Sequence, residues 1–192
     1  MLSRGFTLLE ILVTLVIMMF GMLGLAGLIL KGQRASYEAY QRNQALSLAT
    51  DMAERLKANR LEQINSATYT TNAPLATPLG NKVMYDRLIA GTYTNCETSP
   101  CTSNQLAFYD LARWDGLLVG SSETFSGASN LIGGISNARG CIEIPANFPP
   151  NTFRVTVVWQ GDASTTAPAG ASTCGAAALG VTRHVVSLDV IL

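Results

Sequence analysis

Apolar residues follow three different rhythms along this chain. From Phe6 to Leu30 they run almost unbroken, with Glu10 the only charged residue in 25 positions. As a helix rising 1.5 Å per residue, that stretch is about 37 Å long, enough to cross a bilayer with some tilt. Farther on, Leu48, Ala49, Met52, Ala53 and Leu56 recur at helical spacing and lay an apolar stripe on one side, while Asp51, Glu54, Arg55 and Lys57 stay largely outside it. No proline occurs from residue 1 to residue 73. The pattern therefore predicts one long helix from Phe6 to Ile64 whose amphipathic half is residues 31–65. The alternative, a span of about twenty residues joined to a separate soluble helix, differs only at a hinge near Lys31 and Gly32.

Ser66 to Lys82, rich in Thr and Ala and holding Pro74 and Pro78, reads as a loop. Ser103 is placed to cap a second helix, because Leu106, Ala107, Asp110, Leu111 and Trp114 repeat with helical spacing up to Leu118. Trp114 is its expected core anchor. A Gly/Ser/Asn-rich connection follows from Gly120 to Gly140. The last third then changes to a period of two. Cys141 to Pro145 forms a short strand candidate; Phe153, Val155, Val157 and Trp159 alternate with Arg154, Thr156, Val158 and Gln160; and Val186, Leu188, Val190 and Leu192 alternate at the end. The expected fold is α+β, with the long N-terminal helix packed against a small antiparallel β-sheet head. Gly161 to Gly180 is a low-complexity loop between the last two strands.

Composition narrows the function. The chain has 13 Lys+Arg against 13 Asp+Glu and a pI near 6.6, so the electrostatic footprint of a nucleic-acid binder is missing and such a partner is not expected. The local cluster Arg55, Lys57 and Arg60, beside Glu54 and Glu62, reads as a solvated helix face. With 192 residues the chain suits an anchor plus one globular domain of roughly 120 to 130 residues. G-x-S-x-G, P-loop, H-E-x-x-H and G-x-G-x-x-G motifs are all missing from it. His184 is the only histidine. The expectation is a protein that is not an enzyme, with no catalytic residue, cofactor, metal or small-molecule substrate.

Two features call for more than a generic anchor. The four cysteines, Cys96, Cys101, Cys141 and Cys174, all follow residue 90, and an even count in an exported part suggests disulfides made in an oxidising compartment. Three pairings are possible, and Cys96 with Cys101 and Cys141 with Cys174 is the one expected. The second bridge closes a loop of 34 residues, worth roughly 3–4 kcal/mol in the chain-entropy model. Zinc is the competing reading, but the chain has no C-x-x-C and His184 is remote from the first pair. The second feature is Glu10. A carboxylate in hydrocarbon costs on the order of 2.5–3.5 kcal/mol and marks a functional position with a partner to be named. Were the chain cut between Gly5 and Phe6, the new amine would lie about one helical turn from Glu10. A secretory signal would have a longer basic region, a shorter apolar core and a small-residue cleavage site. Neither that nor a plain anchor explains the glutamate.

The N-terminus, in register over residues 3 to 20, resembles the class III signal of type IV prepilins and related pseudopilins. The resemblance implies that Gly5 precedes the cut made by prepilin peptidase, that Phe6 becomes the methylated N-terminus, and that Glu10 neutralises a neighbouring subunit's amine during assembly. One departure is Gly27, the last of three glycines spaced by three after Gly21 and Gly24, where major pilins often carry a proline. Glycine in a helix costs about 1 kcal/mol relative to alanine, so the region can still loosen. Met52 to Asn59, Arg139 to Ile142, Val155 to Gly161 and the terminal strand from Arg183 resemble the PilV-like minor pilins, also called type IV pilus modification proteins. That likeness implies a leader at 1–5, a transmembrane and assembly helix at 6–30, and a periplasmic head at 66–192. The subunit would be stored in the inner membrane, with other minor pilins and a major pilin as partners, and would reach the cell surface in a pilus to prime assembly or serve adhesion. The alternatives are a type II secretion pseudopilin and a DNA-uptake minor pilin. Arg4 on one flank and Lys31 and Arg34 on the other leave the positive-inside rule undecided. In the pilin family, disulfide-bounded C-terminal loops are displayed on the filament or its tip, so the resemblance implies that the Cys174 loop is a contact surface with other subunits; a solvated surface connection is the equal alternative.

Overall fold

A computed structural model describes residues 7–60, 68–72, 78–121, 134–145, 148–149, 151–166 and 172–192. It comprises two compact units, Met1–Tyr40 and Gln41–Leu192. The elements in chain order are α1 (Leu8–Ala58), α2 (Thr68–Asn72), α3 (Val83–Ile89), α4 (Ser103–Leu118), β1 (Arg139–Glu143), β2 (Thr152–Gln160), α5 (Ala176–Leu179), a 3-10 turn at Gly180–Thr182, and β3 (Arg183–Ile191).

Helix α1 is a single 51-residue helix without a break near Lys31 and Gly32, so the two-helix alternative fails. Its expected last residues, 61–64, lie outside the described residues. Within the second unit α1 buries Ala45, Ala49, Met52, Ala53 and Leu56. Alanines on that stripe let neighbouring elements come close to the helix. One of them is α4, whose Trp114 is fully buried and donates its Nε1–H to the Leu48 carbonyl at 2.9 Å. The sheet, in order β1-β2-β3, is antiparallel throughout. Phe153, Val155, Val157 and Trp159 of β2 join α1 and α4 in the main core, while Val158 belongs to a smaller cluster with Cys141, Cys174 and Leu179. Both faces of the central strand are therefore covered.

Several local expectations shift. The cap of α4 is Thr102, one residue before Ser103: its hydroxyl accepts from the Gln105 N–H, and the Gln105 side chain returns the bond to the Thr102 N–H. Only Thr102 has a glutamine at the third helical position, and that reciprocity selects it. Strand β1 begins at Arg139 and ends at Glu143, two residues ahead of the expected span at either end, and β3 starts at Arg183. The segment from Ser66 to Lys82 is not all loop, because Thr68–Asn72 makes one helical turn. Tyr69, 1% exposed, anchors that turn in the core, so tertiary burial overrides its β-branched composition. The Gly161 to Gly180 stretch likewise contains α5.

Candidate functional site

The N-terminal end of α1 is set by Thr7. Its Oγ1 accepts from the Glu10 N–H at 3.3 Å, and its carbonyl accepts from Glu10 and Ile11 at 3.1 and 3.3 Å. Thr7-x-x-Glu10 has the spacing of a capping box, of which the structure shows the half made by the Thr7 hydroxyl. An acidic side chain in the first turn also meets the positive end of the helix dipole. Gly5 and Phe6 lie outside the described residues.

From Thr7 to Tyr37 every residue is exposed, including Leu12 at 56%, Phe20 at 71% and Leu28 at 70%. Up to Leu30, Glu10 is the only charge in this exposed stretch, which is long and apolar enough to cross a membrane and suits a membrane or helix-packing surface. Gly21, Gly24 and Gly27 have open space around them. Beyond the apolar run, Tyr37 and Tyr40 are exposed, one and two turns after Arg34 and Lys31. Amphipathic rings and long cations at that position suit a membrane–water boundary.

In the head, two buried carboxylates hold separate elements together. Asp110 on α4 accepts from Arg55 Nη1 of α1 at 3.0 Å and from the Tyr69 hydroxyl of α2 at 2.7 Å. Asn59 bridges onward to Tyr69 Oη at 3.2 Å and to the Ser103 carbonyl at 2.7 Å. Arg55 also donates to Asp51 at 2.9 Å, so it is not the solvated cation expected of the 55–60 cluster. Burial raises the Asp110 carboxyl above the ordinary carboxylate range, against the bonds from Tyr69 and Arg55 that lower it. Burial also pushes the Tyr69 phenol up, aided by the Asp110 charge. For Arg55, burial lowers the guanidinium but its bonds and charge pairing with Asp51 and Asp110 win, so it is raised. Pairing thus wins at Arg55, whereas at Asp110 burial outweighs the two donors at 2.7–3.0 Å and holds the carboxyl above its ordinary range.

Asp115, fully buried one turn further along α4, serves a different segment. Its Oδ1 accepts from the N–H groups of Gly80, Asn81 and Lys82 at 2.6, 3.2 and 3.3 Å, and its Oδ2 from those of Met84 and Tyr85 at 2.9 and 3.1 Å. It caps α3 from another helix, because Lys82 at the cap position offers no side-chain acceptor.

Cys96 is bonded to Cys101, and Cys141 to Cys174. The second bridge joins β1 to the segment before α5, where Arg183 donates to the Ser172 and Cys174 carbonyls at 2.7 Å each and the Ser172 hydroxyl donates to Glu143 at 2.9 Å. Cys174 and Leu179 are buried, while Asp162 to Thr166 and Ala176 to Ala178 are exposed. The His184 ring tilts against Trp159, centroids 5.5 Å apart. Among the described residues no cluster of His, Cys, Asp or Glu could hold a metal ion.

Residues 1–26 match the family model of the prokaryotic N-terminal methylation motif, and residues 27–112 match the Tt1218-like model, described as type IV pilin Tt1218. The two matches abut and take in both α1 and most of α4. Comparison with curated proteins gave no match, and neither did comparison with solved structures.

Proposed function

We propose that the chain, whose residues 1–26 and 27–112 match the models of the prokaryotic N-terminal methylation motif and of type IV pilin Tt1218, serves as a minor pilin. In this reading prepilin peptidase cuts after Gly5, Phe6 is methylated, and the helix from Phe6 onward passes from the inner membrane into a pilus or a priming complex with other minor pilins and the major pilin. The observation that carries it is the exposed apolar face of α1 with one carboxylate, Glu10, in its first turn. Such a charge is tolerated in hydrocarbon or filament core when an opposite charge meets it. The new amine at Phe6, its own or a neighbouring subunit's, is that charge. The covered sheet, the two disulfides and the internal carboxylate networks suit a head that meets the periplasm and the cell surface.

Intact-mass and N-terminal analysis of the protein from native membranes and from sheared surface pili tests this. A methylated Phe6 terminus in the pilus fraction is the expected result. Processed protein found only in membranes would favour a priming role or a pseudopilin of a type II secretion system over a pilus subunit, and an uncut Met1 terminus would sink the assembly role altogether.

A further inference from the structure

Among the described residues strand β3 is an edge strand that pairs with β2, and the carbonyl of its first residue, Arg183, accepts from Thr165 Oγ1. Its register with β2 runs from Arg183 to Ile191 without a bulge, and it contains neither proline nor lysine. Bulges, proline and lysine are among the devices that blunt an exposed strand edge against pairing, and the charges that β3 does carry, Arg183 and Asp189, lie on either side of its Val185–Ser187 centre. Alongside it, Arg42, Asn43 and Leu46 of α1 and the consecutive Val185, Val186 and Ser187 of β3 line a groove of about 290 Å³. Successive strand residues point to opposite faces, so a groove that touches three in a row beside a helix follows the strand's edge, not one of its faces. Its lining mixes polar and apolar groups, with Leu46 at 42% exposure beside Arg42 and Asn43. Arg42 is exposed, and among the described residues it enters no ion pair, unlike Arg55, Arg113 and Arg154.

We propose that this groove receives an extended segment of a partner protein, added to β3 as a further strand, with a carboxylate side chain facing Arg42 and an apolar side chain over Leu46 and Val186. Strand addition draws affinity from main-chain hydrogen bonds and specificity from alternate side chains. The acidic and apolar residues therefore stand two apart in the partner, in an acidic-x-apolar pattern. Charge argues against a second copy of this chain pairing β3 with β3. The one carboxylate that β3 would offer, Asp189, is already held by Arg154 through both oxygens at 2.7 and 3.0 Å. The proposal concerns the head alone and does not depend on how the N-terminus is processed.

The test uses the full chain in detergent micelles and the fluorescent peptide Val-Thr-Val-Thr-Glu-Thr-Val-Thr-Val, in which Val stands two residues from Glu. Saturable binding read by anisotropy is expected, weakened about fivefold when the Glu is replaced by Gln or when the protein carries Arg42→Gln, the range of a partly exposed ion pair. Peptides N-methylated at odd or at even positions separate strand pairing from adhesion to an apolar surface, because only one set of amides faces β3. One of the two should lose binding and the other keep it. Absence of saturable binding up to millimolar peptide would overturn the proposal. So would equal binding by both methylated peptides, or a chain already dimeric through β3 by cross-linking.

Discussion

Two carboxylates, Glu10 and Asp110, show how one functional group is put to opposite uses along this chain. Asp110 is surrounded by donors from its own head, and its tyrosine and arginine partners come from residues 41 and 55 positions away in sequence. Because burial raises its folded pKa, the folded chain binds that proton more tightly than the unfolded one. The linked stability is then fully present below the ordinary value of about 3.9 and is lost as pH rises through the raised value. Asp110→Asn cannot take up the proton. Unfolding free energies of the two chains, compared by denaturant titration from pH 7 down to pH 3, should therefore diverge in favour of the native chain as pH falls through that window. A gap that shrinks instead would mean that the Arg55 and Tyr69 bonds outweigh burial. For Glu10 the proposed partner lies in the assembled state. Glu10→Ala is expected to leave processing and membrane insertion largely intact and to lower recovery in sheared pili by about tenfold or more, as loss of a desolvated pair would. Recovery at native level, measured by quantitative immunoblot, would refute charge pairing and leave the Glu10 side chain with the favourable helix-dipole position of the first turn alone.

Elements whose identity is written in local periodicity were legible in the sequence, and those held from a distance were not. The Leu48 to Leu56 stripe, the Leu106 to Trp114 repeat and the two alternating C-terminal stretches each specify a buried face, and α1, α4, β2 and β3 form where those periods run, although β2 buries Thr156 and Val158 on its other face too. Helix α3 escaped notice because seven residues carry too little period to read, and its cap is Asp115 from α4 instead of a neighbour in sequence. The turn at α2 is hidden for the same reason, since Tyr69 is fixed by Asp110. Thr7 is the opposite case: its capping-box spacing to Glu10 was readable, but the apolar run around it drew the reading towards membrane chemistry. The dependence of α3 on Asp115 can be measured. Asp115→Ala strips the acceptor from five backbone N–H groups, each costing about 1–3 kcal/mol when buried and unpaired. Hydrogen exchange at Gly80, Met84 and Tyr85 should accelerate by at least a hundredfold while amides in β2 change far less. Uniform acceleration across the sheet would show instead that α3 and the core unfold as one.

At the scale of the whole molecule, two kinds of surface share one helix. Up to Tyr37 α1 leaves apolar side chains uncovered, and from Gln41 onward it contributes the stripe on which the head core is built. The change in burial falls at the boundary between the two compact units, Met1–Tyr40 and Gln41–Leu192. Everything that stabilises the head, including both disulfides, the Asp110 and Asp115 networks and the Trp114 anchor, lies on the second side of that boundary. A chain lacking residues 1–33 therefore keeps the full core stripe and loses only apolar surface that its own fold never covers. It should be soluble without detergent, form both disulfides, and unfold in one cooperative transition. Its Tm should lie within about 4 °C of the head transition in the detergent-solubilised full chain, a difference of no more than about 1 kcal/mol. The full chain should need detergent to stay dispersed, since an exposed apolar surface of that extent drives association in water. A truncated chain that melts without cooperativity would show that helix N-terminal to Gln41 holds the start of the core stripe in register, and the functional division of α1 would then lie nearer its N-terminus than burial indicates.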